Sequence, residues 1–110
     1  MDKLRTGDGR RGCDMGPLVT KEHRDKVAGY IDVAIKDGAK VVVDGRNVKA
    51  DGESNGFWLG PTLIDQVPTT SSVYQDEIFG PVLSIVRVKS YDEGVSLINN
   101  GAFGLSLIHI

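Results

Sequence analysis

The chain has 110 residues, room for one domain of ordinary size with a modest core, and its 40% hydrophobic content with 14 glycines argues against disorder driven by low hydrophobicity. Thirteen basic against fifteen acidic residues leave a net charge of −2 with no basic run, so the electrostatic footprint of a nucleic-acid binder is missing. One cysteine, Cys13, allows no intrachain disulfide, no Cys/His cluster has metal-ligand spacing, and no stretch approaches the roughly 20 apolar residues that span a bilayer. Neither a disulfide, nor a metal, nor a membrane partner is expected.

Residues Thr6 to Gly16 are charged, glycine-bearing and without apolar periodicity, the composition of an exposed loop or linker. From Thr20, a candidate N-cap, the residues Val27, Tyr30, Ile31, Ala34 and Ile35 recur at the spacing of one helical face, which predicts a helix over 21–37 closed by Gly38. Lys40 to Asp44 is a β-branched run that predicts a buried strand. Asp44-Gly45 and Asp51-Gly52 are turn dipeptides, and the polar stretch up to Gly56 reads as a surface excursion. Phe57-Trp58-Leu59 and the run near 62–66 are the next strand candidates, separated by Gly60-Pro61 because proline supplies no donor to a ladder. After a loop over Pro68 to Ser72, Val82 to Val88 predicts a further strand. Ser90-Tyr91-Asp92-Glu93 has the capping-box spacing, opening a helix over 91–100 that carries Val95, Leu97 and Ile98 and closes at Asn99-Asn100-Gly101. The alternation is that of an α/β layer. Its packing is expected to be open on at least one face.

The titratable residues offer little nucleophilic chemistry. His23, in the first turn of the first helix, reads as a solvated helix residue rather than a general base, and Cys13, with no base or oxyanion motif beside it in sequence, reads as an incidental loop thiol. Gly16-Pro17 and Gly60-Pro61-Thr62 lack the glycine spacing that precedes a diphosphate-cradling helix, and both read as turns. No catalytic residue is assigned. Glu77 stands apart, two residues before Phe79 and shortly before Gly80-Pro81, where a chain turning into a strand would present both side chains from one rigid elbow. Two accounts compete there. The carboxylate can accept both hydroxyls of a ribose while the ring covers the flat face of a heterocycle; or Phe79 is a core plug and Glu77 a helix or loop cap.

Taken in order, Asp14-Met15-Gly16-Pro17-Leu18-Val19, Tyr30-Ile31 with Asp37-Gly38-Ala39, Gly60-Pro61-Thr62-Leu63 and Glu77-Ile78-Phe79-Gly80-Pro81-Val82 resemble the later catalytic-domain portion of the NAD(P)-dependent aldehyde dehydrogenases, over about Leu4 to Gly104. Asp44-Gly45-Arg46, Asn55-Gly56-Phe57 and Gly60-Pro61-Thr62-Leu63-Ile64 are most similar to the CoA-acylating methylmalonate-semialdehyde dehydrogenase branch. The resemblance implies a partial three-layer α/β catalytic domain, an open fragment over 1–104. It implies that Glu77 binds the nicotinamide-side ribose hydroxyls of NAD and that Phe79 lines the nicotinamide pocket, with Lys26 near that ribose as a weaker carry-over. It places the nucleophilic cysteine in a motif that precedes this region and that Cys13 does not match, so the chain alone is expected to be inactive. For the full-length enzyme it implies oxidation of methylmalonate or malonate semialdehyde to propionyl-CoA or acetyl-CoA, with NAD as cofactor, CoA as co-substrate and loss of carbon dioxide. It further implies a homo-oligomer located in the cytoplasm, or in the mitochondrial matrix of a eukaryote.

A reading from a different class keeps the fold piece without the chemistry, as a free-standing small α/β binding or interaction module. The last residues, Leu105-Ser106-Leu107-Ile108-His109-Ile110, do not continue as the methylmalonate branch would and resemble the translation of a sequencing adapter. Residues 105–110 are therefore set aside as a non-native tail, and His109 receives no role.

Overall fold

Helix α1 (Lys21–Lys36) forms where the apolar periodicity begins, because Val27, Tyr30, Ile31 and Ala34 fall on one stripe and all four are buried. The structure, a computed structural model, describes residues 1, 3–52 and 55–104; the segment 105–110 lies outside the described residues. Thr20 is extended and its side chain accepts the His23 amide at 3.1 Å, capping the helix as its sequence predicts. At the other end Gly38 is left-handed, and the amides of Gly38 and Ala39 turn back onto the carbonyls of Ile35 and Ala34. Ile35 departs from the expectation. It lies about 80° around the helix from Val27 and remains 51% exposed.

A three-stranded mixed sheet packs against α1. Strand β2 (Thr62–Asp65) is central; β1 (Lys40–Val43) pairs with it antiparallel, Val41 opposite Ile64, and β3 (Val82–Ser84) pairs with it parallel, Leu63 opposite Leu83. Tyr30 and Ala34 from α1 meet Ile64, Val67 and Val73 in the core, with Val41, Ile78, Val82 and Val86 packed at its margin. Two short helices complete the fold, α2 (Ser72–Gln75) and α3 (Tyr91–Asn99).

The expected strand over 40–44 is not buried. β1 is an edge strand whose side chains alternate, Val41 turned to the core and Val42 51% exposed, because α1 covers only one face. The strand expected over 82–88 stops at Ser84, and its pairing ends when the Ile85 amide and carbonyl meet Ile64 and Val67. Past Asp65 the partner chain turns away through Gln66 at φ 58°, so residues 86–88 have no ladder to join on that side. Phe57-Trp58-Leu59 forms no strand; Phe57 makes a single bridge to Leu18. Thr6 to Gly16 is irregular as expected but is no free linker. Thr6 and Gly7 are buried, bridging Met15 and Asp51, and the Asp51 carboxylate gathers Arg5 at 2.6 Å and Arg11 at 3.2 Å.

The Gly60-Pro61-Thr62 turn has a packing reason. A Cβ on Gly45 would lie 1.9 Å from the Gly60 carbonyl oxygen, so the two backbones approach in a way only glycine allows, and the buried Thr62 hydroxyl accepts the Gly45 amide at 3.0 Å. The capping box at α3 forms with one change: Ser90 accepts the Glu93 amide, but the Glu93 carboxylate reaches back to the Lys89 amide at 2.7 Å. No residue of α3 is buried. The sheet face opposite α1 carries Val42 and Leu83, each more than half exposed, so the packing is open on one face as expected.

Candidate functional site

The loop from α2 to β3 is pinned at each end by α1. Ser71 caps α2 by accepting the Val73 amide, and Val73 anchors this helix in the core. At its C-terminal end the Tyr30 hydroxyl donates to the Asp76 carboxylate at 2.7 Å, a bond that, together with burial, raises the phenol above its ordinary pKa. On the far side Gly80 lies against Val27 so closely that a Cβ there would meet a Val27 methyl at 2.6 Å. Pro81 then enters the sheet, its carbonyl accepting the Thr62 amide at 2.8 Å.

Between these tethers the side chains alternate. Ile78 packs on the core, while Glu77 and Phe79 on either side of it are exposed, Phe79 at 74%. Phe79 holds a left-handed backbone, φ 54°, which non-glycine residues adopt at a cost. Its carbonyl oxygen lies 2.7 Å from His23 Nε2; a carbonyl only accepts, so the imidazole nitrogen is the donor.

At 74% exposure the Phe79 ring fills no core among the described residues. Among the described residues the Glu77 carboxylate accepts no hydrogen bond, so it caps neither helix nor loop. Glu77 and Phe79 thus present one acceptor group and one aromatic face on an exposed edge, on either side of the packed Ile78.

The other residues singled out in the sequence fall elsewhere or alongside. Lys26 is exposed on α1, next to Val27. Cys13 is half-buried in the first loop, its Sγ 4.0 Å from the Asp51 carboxylate. A groove of about 550 Å³ between α2 and the chain after α3, lined by Tyr74, Leu97, Ile98 and Phe103, includes neither Glu77 nor Phe79. Among the described residues no group of three or more His, Cys, Asp or Glu side chains is placed to hold a metal ion, and no helix is long and apolar enough to cross a membrane. His23, expected to be a solvated helix residue, is instead half-buried with its ring bonded to the Phe79 carbonyl. Its partner lies 56 positions away, and nothing in the local pattern around Thr20 marks the contact.

The aldehyde dehydrogenase family model matches residues 1–108, a span that includes the first four residues of the segment set aside as a tail. The chain belongs to the aldehyde dehydrogenase family, and its fold is a mixed α/β piece of that family's fold. Within the family it is similar to malonate-semialdehyde dehydrogenase of Pseudomonas aeruginosa, 50% identical over 93 residues that cover 84% of this chain and 19% of that protein. It is also similar to the human mitochondrial, acylating methylmalonate-semialdehyde/malonate-semialdehyde dehydrogenase, 38% identical over 93% of this chain and 19% of that protein. A solved structure from Sinorhizobium meliloti, described as a methylmalonate-semialdehyde dehydrogenase complexed with NAD, superposes with a TM-score of 0.87 at 44% identity, covering 94% of this chain and 21% of the other. The chain thus spans about one fifth of the length of the relatives it matches.

Proposed function

We propose that this chain forms the nicotinamide-side edge of the cofactor site in an NAD-dependent, CoA-acylating aldehyde dehydrogenase that acts on malonate or methylmalonate semialdehyde. The observation that carries the reading is the elbow at 77–79, where a carboxylate without a partner among the described residues and an exposed ring flank Ile78, with the Phe79 backbone left-handed. The substrate class and the acylation follow the names of the relatives, and NAD follows the bound cofactor in the solved neighbour.

In this reading the residues present fit the cofactor. Glu77 accepts from the two hydroxyls of the nicotinamide-side ribose, and its negative charge makes those bonds stronger than a neutral acceptor would. Phe79 lies against the nicotinamide and keeps water from that side of the ring. Lys26 offers an ammonium from the adjoining helix. Bound NAD supplies the hydride acceptor for oxidation of the aldehyde. The part played by this chain is orientation, which sets how often cofactor and substrate meet in reactive geometry. The thiol that attacks the aldehyde comes from another part of the full-length enzyme, and Cys13 remains a loop residue, so the chain by itself has no turnover. The full-length enzyme is a homo-oligomer in the cytoplasm, or in the mitochondrial matrix in a eukaryote, with CoA as the acyl acceptor.

The test is Glu77→Gln in a full-length enzyme carrying this segment. The neutral amide keeps the shape and loses the charge, and the KM for NAD is expected to rise about tenfold, equivalent to ~1.4 kcal/mol. Cofactor affinity and turnover both unchanged by the substitution would remove the basis of the assignment.

A further inference from the structure

We propose that His23 is a positioning residue of the cofactor site, holding the Phe79 elbow in the conformation that presents Glu77 and Phe79 outward. The inference rests on the reading of that elbow as a cofactor edge and adds a residue to it. Two side chains of α1, one turn apart, grip two successive residues of the loop: His23 donates its Nε2 proton to the Phe79 carbonyl at 2.7 Å, and Val27 fills the space against Gly80. The backbone of Phe79 is left-handed, φ 54°, a conformation that its own sequence does not favour and that therefore needs outside support.

The geometry identifies where that support acts. The carbonyl of Phe79 is one of the two groups that define the plane of the Phe79–Gly80 peptide, so a donor fixed on α1 sets the rotation of that plane. The rotation in turn sets the directions of the side chains before it. His23 is itself held: it is the third residue of α1, and its amide is tied to the Thr20 cap at 3.1 Å. The donor thus projects from a capped helix end rather than from a mobile loop, as a positioning group should.

The experiment uses a full-length enzyme carrying this segment and compares His23→Gln, His23→Glu and His23→Ala, with Phe79→Leu alongside. Glutamine can place an N–H donor where Nε2 stands. Glutamate has the same reach but only accepts when ionised, and at the third position of a helix it favours folding of α1. The KM for NAD and kcat are expected to stay within about twofold of the wild type in His23→Gln. In His23→Glu and His23→Ala cofactor KM should rise roughly three- to tenfold, as for one lost hydrogen bond. His23→Gln and His23→Glu behaving alike, either both intact or both impaired, overturns the donor role, and this comparison holds even if His23→Ala fails to fold. If Phe79→Leu weakens NAD binding while all three His23 variants are normal, the elbow reading stands and the inference falls. Normal cofactor binding in every variant, Phe79→Leu included, removes the elbow reading and the inference with it.

Discussion

A phenylalanine backbone in the left-handed region costs roughly 1–2 kcal/mol, and at Phe79 that cost is offset by three neighbours. Ile78 on one side is packed into the core, Gly80 on the other lies in contact with Val27, and the Phe79 carbonyl has the His23 donor. Gly80 is the position where the offset is most easily upset. A Cβ at residue 80 would stand 2.6 and 2.8 Å from the two methyls of Val27, which is fully buried and, being β-branched, has little rotamer freedom to yield. Gly80→Ala is therefore expected to destabilise a full-length enzyme carrying this segment by about 1–3 kcal/mol and to raise the KM for NAD. Adding Val27→Ala should recover part of the cofactor binding by making room for the new methyl. Melting temperatures and cofactor titrations of the single and double variants check this; a silent Gly80→Ala would show that the loop does not rest on α1 in this way.

Between elements, one ion pair ties the end of β2 to the segment that follows β3. Asp65 is nearly buried, and the Arg87 guanidinium grips it with two bonds, Nε at 3.0 Å and Nη2 at 2.6 Å, where the ladder itself has already ended. The Arg87 bonds, aided by the Gln66 amide, hold the Asp65 carboxyl below its ordinary value near 3.8. A depressed carboxylate pKa contributes stability that is present above the unfolded-state value and is lost as the pH falls through the folded-state value. Arg87→Leu should accordingly lower the melting temperature at pH 7, and the gap from the wild type should narrow as the pH is taken below about 4. Thermal unfolding of the two proteins across pH 3–7 provides the measurement, and a gap independent of pH would mean that the pair does not contribute through ionised Asp65.

For the whole molecule, the distribution of apolar surface is the informative feature. Val42, Leu83, Ile85 and Val88 along the sheet edges, with Tyr91, Ile98 and Phe103 around α3, are each more than a third exposed, an extent of apolar surface that a soluble monomer seldom leaves open. β3 and β1 are both edges among the described residues, and a parallel-paired strand is ordinarily covered on both faces. Produced as the isolated 110-residue chain, the protein is expected to bind a hydrophobic dye, to self-associate, and to melt without a sharp transition. A monomer with no dye binding and a cooperative melt would instead favour the free-standing module.

Whereas the four-residue α2 was not legible in the sequence, the order of α1, the three strands and α3 was, because each rests on local chemistry, with Thr20 and Ser90 as caps, Gly38 as a helix end, and the 27, 30, 31, 34 stripe as a buried face. So was the family, since the motif from Glu77 to Val82 with its companions in order needs no coordinates to be seen, and the family match bears it out. The loop position of Glu77 and Phe79 was legible as well, from the Gly80-Pro81 turn that follows them. Four things were decided by tertiary structure. The strand at 40–43 is an edge because it pairs with β2 alone and half exposed because α1 covers one face only, and the strand at 82 ends early because β2 turns away at Gln66. The loop at 6–16 is anchored because Asp51, far along the chain, draws in Arg5 and Arg11. His23 became part of the elbow because a helix end and a loop 56 residues apart are brought within hydrogen-bond distance. Helix caps and stripes are recorded within a few residues of where they act, so a sequence states them directly. Edge, anchor and long-range donor depend on which distant segments the fold brings together, and only the assembled chain contains that information.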